Sequence, residues 1–222
     1  MQLIEWVHQA FVFDRRIHVL AEHIAALIPE NARVLDIGCG DGQLAKSISQ
    51  SRPDVEIAGI EVMVRPNCHI PAAEFDGRTI PHANRSFDAA ILVDVLHHTE
   101  DPIALLAESA RVAGRCVVIK DHVLGSWIDG IMLRFMDRIG NRRHGVALPY
   151  NYLSAAQWEK AFQTLGLTVE KWKSRLGLYW WPASLFFEGS LHFVARLAIP
   201  TKDSAGEKPD TDHPLQEATK TP

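Results

Sequence analysis

Residues 34–42 read VLDIGCGDG, with glycine at 38, 40 and 42, straight after an apolar run and straight before QLAKSI, which opens a helix. A backbone that turns sharply from strand to helix and stays open to a ligand needs residues without Cβ at the turn. The helix behind such a turn offers unpaired N–H groups and the positive end of its dipole, which suit an anionic group such as a carboxylate or phosphate. Asp36 stands two residues before the first glycine, either as a direct ligand or as an acid that orients the loop. Further acids and imidazoles follow apolar runs: Glu61, Asp76 with Gly77, Asp94 with Val95, His97 with His98, and Asp121 with His122. A carboxylate has two oxygens to offer adjacent hydroxyls, and an imidazole at a sheet edge can take a proton from a hydroxyl or amine.

The elements that must position these groups alternate along the chain. Residues 3–28 repeat apolar side chains at helical spacing, and Pro29 with Asn31 ends the pattern. Strands are then expected at 34–37, 55–60, 87–93 and 115–119, with helices at 43–50 and 102–113, the latter capped by Asp101. Strands apolar on both faces and separated by helices predict an α/β fold with a mostly parallel sheet covered by helices on both sides. After Ile119 the pattern predicts a helix at 123–139, a loop at 142–152, a capped helix at 154–165 ended by Gly166, and closing strands at 169–175 and 191–197. The segment VMVRPNCHIPAAEF, after Glu61, carries Pro66 and Pro71, so the crossover there is too short for a regular helix.

The glycine spacing separates two cofactors. A dinucleotide fingerprint needs glycine at its sixth position, which here is Gln43, whereas the fifth position holds Gly42. The form Asp36-x-Gly38-x-Gly40-x-Gly42 resembles motif I of the class I S-adenosylmethionine-dependent methyltransferases, of the small-molecule, type 11-like kind. FDGRTIPHANRSFDAAILVDVLHHTEDP and ARVAGRCVVI resemble that family's later motifs in the same order, so the likeness covers roughly residues 32–120. The resemblance implies a Rossmann-like sandwich whose seven-stranded sheet is mostly parallel with an antiparallel last strand. It implies donor binding by Asp36, Gly38, Cys39, Gly40 and Gly42. Glu61 and Val62 would serve the ribose, Asp76 and Gly77 the adenine side, and Asp94 and Val95 the remaining wall. His122 and His97 are the candidate catalytic bases, and no metal is expected. The family's Asn/Asp-Pro-Pro-aromatic loop for amide and exocyclic-amine nitrogens is absent, since the site reads DVLHH, and there is no Pro-Cys pair to attack a pyrimidine.

Totals bound the rest. With 222 residues, 47% apolar, the chain suits one core, and residues 1–200 are expected to form one domain. Within it, 1–30 would be a helical cap and 123–152 a substrate cover, while 201–222 lacks the apolar residues needed to fold. A net charge of −4 argues against a polyanionic partner such as nucleic acid. Three widely spaced cysteines and no long apolar run fit a reducing cytoplasm and no membrane span. The basic cluster Arg138, Arg142, Arg143 and His144 reads as a solvated loop or a seat for an acidic substrate group. The aromatic run GLYWWPASLFFEG admits a core, an apolar substrate wall or a peripheral membrane contact. The expected activity is in-line methyl transfer to a small-molecule acceptor, an apolar or lipid-like one among the options; a non-catalytic binding subunit of the same fold and a nicotinamide dehydrogenase are the competing readings. The acceptor, the atom methylated and the oligomeric state are not written in the sequence.

Overall fold

Apolar runs that alternate sides along each strand build two cores, one on each face of a seven-stranded sheet. The computed structural model describes residues 14–127, 129–134, 150–178 and 191–200. In chain order the elements are α1 (Asp14–Ala25), β1 (Arg33–Ile37), α2 (Gln43–Ser51), β2 (Glu56–Glu61), β3 (Ala72–Glu74) and β4 (Phe87–Val93). A short 3-10 turn (Leu96–His98), α3 (Pro102–Val112), β5 (Ala113–His122), α4 (Ala155–Thr164), β6 (Thr168–Lys173) and β7 (His192–Ala198) follow. The strands lie in the order β3-β2-β1-β4-β5-β7-β6, and β7 pairs antiparallel with both neighbours. The sheet is therefore the expected one, parallel except for β7.

Leu35, Ile37, Leu92, Val117 and Ile119 point into one core with Trp158 and Phe193, whereas Val34, Ile91, Cys116 and Val118 point into the other with Ile24 and Ile48. Burial on both faces explains why these strands read as unbroken apolar runs. Helix α1 packs beside α2, with Leu20, Ala21 and Ile24 in the same core as Ala45 and Ile48. The Asp101 carboxylate accepts the N–H groups of Ile103 and Ala104 at 3.1 and 2.9 Å and so starts α3; Ser154 and Gln157 form a reciprocal capping box on α4.

The chain runs outward from β1 to β2 and β3, then returns to the other side of β1 as β4. The carboxyl ends of β1 and β4 therefore frame the crevice where open α/β sheets take ligands. Residues 62–71 contain no helix, in keeping with their two prolines, and the brief β3 (AAE) carries no pattern that marks it as a strand.

Three expectations need correction. β5 extends to His122, so Asp121 and His122 are its last two residues, paired with Phe193 and His192, and do not follow it. The helix expected from Val123 starts at residue 127, because Val123 and Leu124 donate their N–H groups to Leu191 and Leu153 instead. The β6 strand ends at Lys173 and not at Arg175. The start of the N-terminal helix, the basic cluster at 138–144, Tyr179, Trp180, Trp181, Phe186 and Phe187, and the tail from 201 lie outside the described residues.

Gly38, Gly40 and Gly42 all have left-handed backbones, with φ of 72°, 60° and 75°. A Cβ on Gly38 would lie 2.5 Å from Val95 Cγ2, whereas one on Gly40 would meet nothing within 4 Å. Gly40→Ala should therefore lose only the left-handed penalty of about 1–2 kcal/mol, and Gly38→Ala about 1–3 kcal/mol more through the clash. Urea denaturation of the two variants checks this; equal losses would mean that Val95 yields.

Candidate active site

The turn after β1 is tied to β2 by its backbone. Gly38 N–H and Cys39 N–H both donate to Ile60 O, at 2.8 and 3.2 Å, and Gly42 caps α2 without a side-chain bond. Gly40 N–H donates to Glu61 Oε2 at 2.7 Å and Val62 N–H to Glu61 Oε1 at 2.8 Å, so the Glu61 carboxylate sits at the mouth of the loop. The open space beside Gly40 leaves a cradle there that any side chain would narrow. Asp36 is buried in β1; burial, and then the nearby Glu61 charge, push its carboxyl up to about 7.

On the β2 side, Val62 Cγ2 lies 3.3 Å from where a Gly77 Cβ would be, so Val62 and Gly77 share one edge. Phe75 N–H donates to Glu61 O, which draws the following Asp76 to the same end of the sheet. Asp76 itself is exposed, and one of its oxygens accepts Thr79 N–H and Arg78 N–H at 2.7 and 2.8 Å. Those two bonds hold its carboxyl below the usual range.

Across the crevice lies a buried polar cluster. Asp94, at the end of β4, has φ 57° and donates its N–H to Lys120 O. Its carboxylate receives the Lys120 ammonium and, at 2.5 Å, the Arg16 guanidinium of α1. Burial opposes ionisation of Asp94, but Lys120 and Arg16 outweigh it and hold the carboxyl well below its ordinary value. Lys120 is fully buried, and burial pulls its ammonium down against the support of Asp94.

His97 Nδ1 lies 2.6 Å from Asp121 Oδ1, both groups being 1% exposed. Burial disfavours the Asp121 charge, yet His97 and His122 more than compensate and hold it far below the carboxylate range. Since Asp121 is then an acceptor only, His97 Nδ1 is the donor. His122 donates its backbone N–H to Asp121 Oδ1 at 2.8 Å, and burial, followed by Lys120, pushes its imidazole down to about 4, so it is neutral at pH 7. The rings of His97 and His122 lie 4.6 Å apart, His122 and His192 4.8 Å, and His97 stacks on Tyr152 at 5.3 Å. Asn151 fastens the turn that carries His97 by donating to His97 O and Thr99 O.

The structure thus brings Asp36, Glu61, Val62, Asp76 and Gly77 to one flank of the crevice, and Asp94, Val95, His97 and His122 to the other. Arg16, Lys120, His192 and Tyr152 were not anticipated. The run KDH closing the apolar VVI was their one sequence signal, since three polar residues at a buried strand end demand partners. Asp94, His97 and His122 bring ligand atoms within 4.8 Å of one another, a donor set that could hold a divalent ion. Asp94 already carries two cationic partners, however, and an added cation would have to displace one of them.

A profile described as a methyltransferase domain matches residues 7–171. The chain belongs to that methyltransferase family. The 27-O-demethylrifamycin SV methyltransferase of Amycolatopsis mediterranei is 28% identical over 122 residues, which make up 48% of this chain and 44% of that protein. An O-methyltransferase of Pyrenophora dematioidea is 35% identical over 109 residues, 41% of this chain and 39% of the other. The chain thus spans less than half the length of these curated relatives. Among solved structures, an S-adenosylmethionine-dependent methyltransferase of Thermotoga maritima superposes with a TM-score of 0.60 at 17% identity, covering 89% of this chain and 96% of that one. That superposition shows a shared methyltransferase fold. Family and fold together imply S-adenosylmethionine as the donor, and the open cradle at Gly40 with a carboxylate beside it suits that molecule.

Asp36 gives this chain a testable pH signature. Between about pH 4 and pH 7 the unfolded chain ionises this acid while the fold keeps it protonated, so rising pH removes stability through this group. Asp36→Asn cannot titrate, and its stability relative to the parent should climb across that window and level off above it. Denaturant midpoints at half-unit pH steps check this, and a flat difference would contradict it.

Proposed function

We propose that this chain transfers a methyl group from S-adenosylmethionine to a hydroxyl of a small, apolar molecule. The observation that carries the reading is the left-handed glycine turn after β1, open beside Gly40, together with the buried His97–Asp121 pair at the carboxyl ends of the adjacent strands β4 and β5. In this reading Glu61 grips the ribose, Val62, Asp76 and Gly77 border the adenine, and Asp36, Gly38, Cys39, Gly40, Gly42, Asp94 and Val95 shape the rest of the donor seat. When bound, the donor supplies a methyl group already activated by the positive sulfur.

The chain's own residues then have two tasks, to hold the partners in line and to receive a proton. Asp121 accepts Nδ1–H of His97, which fixes the tautomer and leaves Nε2 as the base for the acceptor hydroxyl. His122 stays neutral beside it and packs the ring in place. The wording O-methyltransferase belongs to the relative from Pyrenophora dematioidea and supports a hydroxyl acceptor here. The ion pair from Arg16 in α1 to Asp94 supports the helix at 14–25 as a cap over the site. A small-molecule partner rather than nucleic acid, and a cytoplasmic setting, complete the proposal. Among the described residues no helix is long and apolar enough to cross a membrane.

The test combines methyl-labelled donor with a panel of phenolic and macrocyclic alcohols. Labelled ether products are expected, and donor binding without transfer would favour the binding-subunit reading. His97→Ala should lower turnover about 10²- to 10⁴-fold with donor affinity nearly unchanged; a fully active variant eliminates it as the base. Calorimetry on Glu61→Ala should show donor binding weakened by about 1–3 kcal/mol. Stabilisation by NAD in place of S-adenosylhomocysteine would point to a dehydrogenase.

A further inference from the structure

The three cysteines are free; Cys39 lies in the glycine loop and Cys68 packs against it at Gly42. Cys39 sits between Gly38 and Gly40, and its Sγ packs against β2 so tightly that a Cβ on Gly59 would come within 2.5 Å of it. Cys68, in the helix-free connection from β2 to β3, puts its Sγ 3.1 Å from where a Gly42 Cβ would be. Cys68 lies near enough to raise the Cys39 thiol, and Ile70 lies against both glycine positions.

The segments that carry them are fastened on both sides. His69 N–H donates to Asp41 O at 2.8 Å, Gly59 N–H donates to Pro71 O at 2.8 Å, and Arg65 pairs with Asp41 at 3.8 Å. Backbone bonds therefore hold the segment of Cys68 against the loop that carries Cys39. Their exposure differs: Cys68 is half-buried, and Cys39 is 9% exposed. Burial also pushes the Cys39 thiol up, which keeps it protonated until a partner sulfur is activated. Cys116, the third cysteine, is fully buried in β5.

We propose that Cys39 and Cys68 form a peroxide-sensitive thiol pair that closes into a disulfide under the glycine loop. In the first step Cys68 sulfur, as thiolate, attacks a hydroperoxide oxygen, the O–O bond breaks, and the products are a Cys68 sulfenic acid and water or an alcohol. In the second step Cys39 sulfur attacks the sulfenic sulfur, the S–O bond breaks, and the Cys39 proton leaves with the hydroxyl as water. Two thiols and one peroxide thus give one disulfide and two molecules of water, or one of water and one of alcohol. The bond would join the loop proposed to seat the donor to the connection that precedes β3. It rests on neither the identity of the donor nor that of the acceptor.

The full chain treated with a small excess of hydrogen peroxide should fall from three titratable thiols to one under denaturing conditions, as a monomer that reducing agent restores. Peptide mapping should recover a Cys39–Cys68 linked pair, and closing a loop of about thirty residues should raise the melting temperature by about 5–10 °C. Cys68→Ser, at a half-buried position, should abolish all of these changes while leaving the fold intact. Cys39→Ser should accumulate a Cys68 sulfenic acid that dimedone captures. No loss of thiols, a Cys68 sulfinic acid with Cys39 still free, a dimer linked through Cys68, or a bond to Cys116 would each overturn the proposal.

Discussion

A lysine ammonium with no access to water must find a carboxylate, and much of this site follows from how Lys120 does so. Leaving such a charge unpaired costs about 3–5 kcal/mol, a large share of a domain's net stability. Asp94 meets the demand only by adopting a left-handed backbone at the end of β4, a conformation uncommon outside glycine. That backbone turn sends the chain on through Val95, and Val95 fills the space that Gly38 leaves by lacking a Cβ. The ion pair, the strained residue, the valine and the glycine are one mechanical sequence from β5 to the loop. Arg16 extends it to α1, so the N-terminal helix is held to the sheet edge by the same carboxylate.

Charge is distributed unequally over the two flanks of the crevice. On the β2 side, Asp36 and Glu61 crowd each other under partial desolvation, and the buried member gives up its charge in the neutral range. On the β5 side, every buried acid has a cationic or imidazole partner, and the histidines beside Lys120 are kept neutral because another positive charge would be unscreened there. Neutral imidazole is the form that accepts a proton. An arrangement that first solves the burial of Lys120 therefore also leaves neutral imidazoles at the carboxyl edge of the sheet.

The family assignment and the local geometry support each other at different levels. Identity with the solved methyltransferase is low, so that likeness establishes a shared scaffold and leaves chemistry to the side chains. The side chains here include three imidazoles, two acids and a lysine, packed together and nearly all hidden from water. Buried polar clusters of that density are costly unless their bonds are satisfied, which makes them informative about where chemistry is performed.

By itself the sequence determined the sheet and the loop. Two-sided apolar runs permit little but a covered parallel sheet, and glycines at 38, 40 and 42 permit little but a tight turn into α2. It also showed that Pro66 and Pro71 forbid a helix in the second crossover. It was silent on β3, because three small residues have no periodicity, and on the start of the helix after β5, because Leu191 and Leu153 claim those N–H groups from far along the chain. Only the tertiary structure decided which histidine is oriented by which acid. Asp121 is adjacent to His122 in sequence, yet its carboxylate lies 2.6 Å from the ring nitrogen of His97, brought there from the end of the neighbouring strand. Adjacency already places the His122 ring nitrogen 3.4 Å from Asp121 Oδ1; register between strands, which no local pattern encodes, adds His97 as the nearer partner.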